Sequence, residues 1–365
     1  MKNIQDIENL KGIKVLLRLD LNVPIVGNHI VDDFRIRKAL PTLHYLQEKG
    51  AQIIIISHIE TKENPTLDPV AKHLKGLGID CVFEKNYKKA LNYFENENSK
   101  GKILILENLR DHEGEKKNDK KFAKELASLA DIYVNEAFPV SHREHASVCA
   151  ITEFIPSYAG LQFAEEIKHL SSAFNPGESE RPFLFILGGA KFDTKLPLVE
   201  KFMTIADKVF IGGALAHDFY KTQGKDIGDS LISDTPPDLS KIIDDKKLIL
   251  PIDNIMKDSA IMDIGFKTVE VLRGEIDKAK YILWNGPMGA YETGYKASTL
   301  QLAEILADAT KHGVKTIVGG GDTLATITEL KLEDSFTFVS TGGGAMLDYL
   351  AKGTLPGIEA LERKM

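Results

Sequence analysis

The chain has 365 residues, too many for one ordinary hydrophobic core, so two domains are expected. It is 43% hydrophobic and 27% charged with a formal net charge of −7, a globular composition that argues against a nucleic-acid partner, because duplex binders need a basic face. No apolar run approaches the roughly 18 residues that cross a bilayer, the first ten residues read as neither a signal nor a transit peptide, and Cys81 and Cys149 stand alone without metal or redox spacing, so a cytoplasmic protein with free thiols and no membrane partner is expected.

In chain order, short runs of Val, Ile and Leu alternate with longer amphipathic stretches. The first part places strands at 14–19, 52–56, 102–106 and 131–134, with helices at 36–47 and 120–129. A helix over 158–172 follows, and the stretch 175–181, NPGESER, has linker composition. Strands are then expected at 183–187, 208–211, 247–250, 281–284, 315–318 and 336–339, with helices at 196–205, 297–309 and 324–330. The strands are short and apolar throughout, as required where both faces of a parallel sheet are buried. Such alternation predicts an α/β fold of doubly wound sheets.

Ligands of open α/β sheets bind beyond the carboxyl ends of the strands. In the first half those ends carry Asp20-Leu21-Asn22, Ser57-His58, Glu107-Asn108-Leu109-Arg110, and Asn135-Glu136 leading to His142-Arg143. In the second half they carry Gly188-Gly189-Ala190-Lys191, Gly212-Gly213, Asn285-Gly286-Pro287, Gly319-Gly320-Gly321-Asp322, and Ser340-Thr341-Gly342-Gly343-Gly344. One rim is cationic and polar and the other is glycine-rich, which suggests two ligands facing each other across a cleft.

A glycine run between strand and helix lets the backbone approach a phosphate, and the helix dipole adds about 0.3–1 kcal/mol for an anion there. One Gly-Gly pair alone is more often just a tight turn, but several such junctions on one sheet point to phosphate. No GxxxxGK[ST] occurs and neither GGG run has a glycine three positions on, so neither a P-loop NTPase nor a dinucleotide-binding dehydrogenase is supported. Lys191 and Lys195, spaced i, i+4, could present charge on one helix face or form a solvated pair. Asp322 is either an N-cap or a Mg²⁺ ligand, and Glu292 either an exposed loop residue or an acceptor for ribose hydroxyls.

On the other rim, Arg35 and Arg37 sit at a helix start, where a positive charge opposes the dipole unless it pairs with Asp32 or Asp33 or meets an anion. Arg110, His142, Arg143 and His145 add further cationic or donor groups, and the guanidinium fork suits a carboxylate or phosphate. Asp20 and Asn22 could orient ligand hydroxyls or shape the turn before Pro24.

Taken together, KVLLRLDLNVP, DDFRIRKALPTL, the Ser57-His58 pair, LENLR, DIYVNEAF, HREHAS, SYAGL, LGGAK, IGGA, MDIGFKT, WNGPMGAYE, GGGDT, STGGGAMLDYL and LPGIEAL resemble the phosphoglycerate kinase family, in family order along most of the chain. The resemblance implies two Rossmann-like lobes with mostly parallel sheets, separated by a hinged cleft. Residues 1–157 plus 350–365 would form a lobe holding 3-phosphoglycerate or 1,3-bisphosphoglycerate, 158–174 an interdomain helix, and 175–349 a nucleotide-binding lobe. Asp20, Asn22, Arg35, His58, Arg110 and Arg143 match the family's substrate positions. Gly189, Lys191, Lys195, Gly212, Gly213, Asn285, Pro287, Glu292, Gly321, Asp322 and Thr323 match its nucleotide positions, with Gly342, Gly343 and Gly344 at the phosphate-facing helix. Arg35 would neutralise the transferring phosphoryl group, Lys191 would guide it, and Asp322 would hold Mg²⁺ on ATP or ADP. Small-molecule substrates and a monomer are the family expectation.

The sequence also departs from the family. After Ser-His the family has a hydrophobic residue and then Gly-Arg-Pro, whereas Ile59-Glu60-Thr61-Lys62 stands here, so Thr61 replaces a substrate-gripping arginine. Pro139-Val140 stands before the His-Arg loop, Phe266 replaces a proline and Asp111 an aromatic residue, and 61–86 and 253–262 look shortened. One lost charged hydrogen bond costs about 1.5–3 kcal/mol. These departures keep two alternatives open beside an active kinase: a paralogue that binds nucleotide with weak turnover, and an acyl-phosphate kinase for another carboxylate.

Overall fold

The structure is a computed structural model that describes residues 1–60, 65–95, 101–190 and 195–363. It divides into two compact units, Met1–Ile167 with Thr354–Met365, and Lys168–Gly353.

Unit 1 begins with β1 (Lys14–Arg18), the small hairpin β2 (Ile25–Val26) and β3 (His29–Ile30), α1 (Phe34–Glu48) and β4 (Gln52–Ile56). It continues with α2 (Asp68–Gly76), β5 (Cys81–Glu84), β6 (Ile103–Leu106), α3 (Glu113–Lys116), α4 (Lys120–Ala127), β7 (Ile132–Asn135) and β8 (Ser157–Ala159). The six main strands form a parallel sheet in the order β5-β6-β4-β1-β7-β8. β6 and β7 are buried at every residue, and β1 and β4 at all but their first, which is why these strands read as unbroken apolar runs. From β1 the chain passes to β4, then to the edge strand β5, back to β6 between them, and finally to β7 on the other side of β1. The switch point therefore lies between β1 and β7, where Glu136 N–H donates to the Arg18 carbonyl at 2.9 Å.

The helix expected over 158–172 starts late. Residues Ser157–Ala159 are strand β8, and α5 spans Leu161–Ser171. The reason is Glu136: its carboxylate accepts the N–H groups of Gln162 and Phe163, both at 3.0 Å, and the Thr42 hydroxyl, so the helix begins where those donors are satisfied. Burial pushes the Glu136 carboxyl up to about 7, with these three donors pulling the other way.

Unit 2 contains β9 (Phe183–Leu187), α6 (Leu196–Ile205), β10 (Lys208–Ile211), α7 (Leu215–Thr222), β11 (Leu248–Ile249), and the hairpin β12 (Asn254–Lys257) and β13 (Ala260–Ile264). Then come α8 (Phe266–Ile276), β14 (Tyr281–Asn285), α9 (Ala297–Lys311), β15 (Lys315–Gly319), α10 (Gly321–Glu329), β16 (Phe338–Ser340) and α11 (Gly344–Lys352). Its parallel sheet runs β11-β10-β9-β14-β15-β16, with β9 and β14 fully buried at the centre. The stretch read as a linker is fastened to this unit: Lys315 Nζ lies 2.7 Å from Glu180, and Arg181 lies 2.8 Å from Asp207. The last helix, α12 (Pro356–Glu362), belongs to unit 1, where Gly357 N–H donates to the Ser141 carbonyl at 2.8 Å.

Candidate functional site

In unit 1 the strand ends deliver polar side chains into a buried cluster. Arg18, the last residue of β1, is fully buried; its Nε donates to Ser147 Oγ at 3.0 Å and one Nη to the Leu19 carbonyl. The other Nη lies 3.1 Å from His58 Nδ1. A guanidinium only donates, so His58 Nδ1 must accept, which leaves the imidazole neutral with its proton on Nε2. Burial first, and then Arg18, Arg110, Arg143 and His145, hold His58 far below the usual histidine range. Burial and the same arginines lower His145 to about 4, so both histidines are neutral at pH 7, and of the two roles open to His145, cation or donor, the neutral one holds. The internal counter-charge is Glu115, fully buried, which accepts from Ser147 N–H at 3.0 Å and Ser147 Oγ at 2.6 Å.

Two members of this network keep unpartnered buried nitrogens among the described residues, His145 at Nδ1 and Arg110 at two atoms. The Arg110 side chain is 8% exposed, and Nη1 donates to Glu60 Oε1 at 2.7 Å. Its Nε and Nη2 are buried and have no hydrogen-bond partner among the described residues. Burial lowers this guanidinium from its ordinary value and Glu60 pulls it back. Most buried donors in proteins are paired, so two open arms of one guanidinium mark a place for an anion. Arg143, whose charge acts on Arg110, His58 and His145, lies beside it.

Arg35, in the first turn of α1, pairs with Asp20 at 2.9 Å and also donates to the Asn22 carbonyl at 3.3 Å. Its partner is therefore the end of β1 and neither Asp32 nor Asp33; Asp33 instead pairs with Arg37 at 2.8 Å. Asn22 Oδ1 accepts the Glu60 N–H at 2.9 Å. Thr61 and Lys62 lie outside the described residues.

In unit 2 the corresponding switch point lies between β9 and β14, and it is built from backbone. Gly188 N–H donates to the Asn285 carbonyl at 2.8 Å, and Gly189 N–H to the Pro287 carbonyl at 2.9 Å. Gly213 has φ +61°, and a Cβ there would lie 2.7 Å from the Gly189 nitrogen, so only glycine fits this turn. Beside these turns opens a cavity of about 540 Å³. Its lining includes Gly189, Gly213 and Pro287 of these turns, the carboxylates Glu292 and Asp322, which make an acidic edge, and the apolar Met262 and Ile264 of β13.

Three charged groups meet at the acidic edge. Burial and then Glu292 raise the Asp322 carboxyl, with Lys195 opposing, while burial lowers Lys195 to about 8. Lys195 Nζ donates to the Gly188 carbonyl at 2.9 Å. Lys195 stands as the N-cap residue of α6; Lys191, and with it the reading of the two lysines as a pair, lies outside the described residues. Asp322 is not an N-cap: Gly320 holds that position and Asp322 stands in the first turn of α10, which opens before the expected residue 324. An oxygen donor whose anion is disfavoured by burial and by a second carboxylate suits a hard divalent cation. Among the described residues no three His, Cys, Asp or Glu side chains form a metal cage, so such an ion would need ligand oxygens as well.

Other predicted positions serve the frame of this half-site. Thr323 is fully buried and its hydroxyl accepts the Gly286 N–H at 3.0 Å. Asn285, buried at the end of β14, donates to Met346 Sδ at 3.6 Å, and Gly212 N–H donates to the Leu187 carbonyl at 2.9 Å. Gly321 opens α10, and Gly343 and Gly344 open α11, where Gly342 N–H donates to Ser340 Oγ at 3.1 Å. None of these seven positions lines the cavity itself; their neighbours at the same turns do. The sequence reading missed Arg18, Glu115 and Ser147 as parts of the cationic cluster, and the β12–β13 hairpin as a cavity wall. An apolar run, Val15–Leu17, that ends in arginine inside a buried strand was the available signal for the first.

The family model described as Phosphoglycerate kinase matches residues 4–353. A phosphoglycerate kinase of Dictyoglomus turgidum is 40% identical over 402 aligned positions, covering 100% of this chain and 99% of the relative. One of Thermosipho africanus is 41% identical, covering 99% and 98%. Among solved structures, phosphoglycerate kinase from Coxiella burnetii aligns with a TM-score of 0.81 at 30% identity, covering 98% of each chain. That from Pyrococcus horikoshii OT3 aligns at 0.82 and 28% identity, covering 99% of this chain and 98% of that one.

Proposed function

The chain belongs to the phosphoglycerate kinase family, and from that premise we propose how its residues divide the work. The reaction is reversible phosphoryl transfer between 1,3-bisphosphoglycerate and ADP, giving 3-phosphoglycerate and ATP. The bond from phosphorus to the acyl oxygen breaks, a bond from phosphorus to a terminal oxygen of ADP forms, and the carboxylate leaves. Nothing in that exchange needs a protein nucleophile, so catalysis is positioning and neutralisation of charge.

In our reading unit 1 holds the phosphoglycerate and unit 2 the nucleotide. The observation that carries this assignment is Arg110, buried with two unpartnered donors beside Arg18 and Arg143. Arg110 and Arg143 grip the phosphate, His58 offers its Nε2 proton, and Asp20 and Asn22 orient hydroxyls. Arg35 faces the transferring phosphoryl group once it leaves Asp20, and Lys191 guides that group. In unit 2 the turns at Gly189, Gly212 and Gly213 and the cavity beside Pro287 take the nucleotide, with Glu292 on the ribose and Lys195 on the phosphates. Asn285, Gly321, Thr323 and Gly342 to Gly344 shape the phosphate end. Asp322 would hold Mg²⁺, which when bound neutralises phosphate charge. We also propose a cytoplasmic monomer.

No observation favours the paralogue with weak turnover or the kinase for another carboxylate. A coupled assay with 3-phosphoglycerate and MgATP tests the function. ADP formation that depends on 3-phosphoglycerate is expected, and its absence in folded protein would overturn the reading.

A further inference from the structure

The anion site of unit 1 already contains an anion, and it belongs to the chain. Glu60 stands where the family pattern has glycine, and its carboxylate lies 2.7 Å from Arg110 Nη1. The backbone sets this pair up. Asn108 accepts the N–H groups of Ile59 at 3.2 Å and Arg110 at 3.1 Å and donates to the Ile59 carbonyl at 2.9 Å. Asn22 Oδ1 fixes the Glu60 N–H at 2.9 Å. The two carboxylates that act on Arg110 differ in freedom. Glu115 is fully buried and bonded to Ser147, whereas the Glu60 side chain is 47% exposed and reaches Arg110 from the solvent side.

We propose that Glu60 is a specificity-determining residue, a tethered carboxylate that competes with the anionic substrate for Arg110. The proposal rests on the assignment of the phosphoglycerate phosphate to this cluster. A phosphate dianion carries more charge and more acceptor oxygens than one carboxylate, so it displaces Glu60. A singly charged carboxylate does not gain enough to do so. The cluster thereby rejects weak anions and gives up some affinity for the correct one.

The test is titration of wild type, Glu60→Gln and Glu60→Gly with inorganic phosphate by calorimetry, followed by KM for 3-phosphoglycerate. Both variants should bind phosphate about 3- to 10-fold more tightly, as expected for loss of one half-exposed competing charge. The gain should lie in KM for 3-phosphoglycerate rather than in kcat, and acetate should begin to inhibit. Without phosphate the variants should melt no higher than wild type, because Arg110 has lost a counter-charge. Tighter ligand binding without greater stability is a pairing that a purely structural role does not produce. In an Arg110→Met background the effect of Glu60→Gln should vanish. Unchanged or weaker phosphate binding in folded Glu60→Gln and Glu60→Gly would overturn the proposal and make Glu60 a support for Arg110. If the wild type failed to turn over 3-phosphoglycerate, the site assignment would fall, while the phosphate titration would still decide the role of Glu60.

Discussion

In the proposed division each unit holds a phosphate at a sheet's switch point, and the two are built for it by different means. Unit 1 uses side chains: Arg18, Arg110 and Arg143 are brought together with neutral His58 and His145, and Glu115 balances part of the charge. Unit 2 uses backbone: the turns at Gly188–Gly189, Gly212–Gly213 and Gly286 interlock beside an apolar cavity. Side-chain forks read the shape and charge of a small anion but need partners while empty. Glycine turns need no counter-charge but tolerate no Cβ. The first half-site should therefore be sensitive to charge substitutions and the second to steric ones.

The largest effect is expected at Arg35. Arg35→Ala should lower kcat about 100- to 1,000-fold, the usual loss for one group that stabilises transition-state charge, with little change in KM for nucleotide. Because Arg35 also neutralises Asp20, whose side chain is only 6% exposed, the variant should lose stability as well. Adding Asp20→Asn should restore the melting temperature and leave kcat low. A recovered kcat in steady-state kinetics would reduce Arg35 to a partner of Asp20.

Next come the charged groups assigned to binding. Arg110→Met should weaken 3-phosphoglycerate binding about 10- to 100-fold and leave MgADP unaffected, whereas Asp322→Asn should do the reverse. Calorimetry with each ligand alone measures both. Equal losses for both ligands in either variant would break the division between the units.

A steric change should separate the units further. Gly213→Ala forces a side chain into a left-handed turn 2.7 Å from the Gly189 nitrogen, at a cost of about 1–3 kcal/mol. The sole tryptophan, Trp284, is fully buried in unit 2, so its fluorescence should report this loss in a denaturant titration. An unchanged midpoint would mean that the turn relaxes freely.

Much of this was legible in the sequence because parallel strands buried on both faces are apolar without interruption, as at Phe183–Leu187 and Gln52–Ile56. The strands that escaped notice lack that signature. The Asn254–Lys257 and Ala260–Ile264 hairpin is half exposed, Cys81–Glu84 is an edge strand, and Ser157–Ala159 merges into a helical pattern. Site residues were visible as letters at strand ends, but their pairings were not. Asp20 with Arg35 and Glu60 with Arg110 join residues 15 and 50 positions apart, and three-dimensional placement decides such pairs. The same holds for charge state, since His58 and His145 become neutral only through burial among arginines.

The smallest effect expected is on pH dependence in unit 2. Burial holds Lys195 near 8, so the free protein loses this charge as pH rises through that value. A bound polyphosphate favours the ammonium form, so binding takes up a proton above about pH 8 and MgADP affinity should fall there by a few-fold. Lys195→Met should bind more weakly at pH 7 and lose that slope. A wild-type affinity that stays level from pH 7 to pH 9 would place Lys195 away from the phosphates.

Amide hydrogen exchange with each ligand alone tests the division between the units most directly. With 3-phosphoglycerate, exchange should slow in unit 1, in the segments that carry Asn22, Glu60, Arg110 and Arg143, and stay unchanged at the glycine turns of unit 2. With MgADP, it should slow around Gly189, Gly213 and Asp322 and stay unchanged in unit 1. Protection of the unit 2 turns by 3-phosphoglycerate, or of the arginine cluster by MgADP, would contradict the assignment.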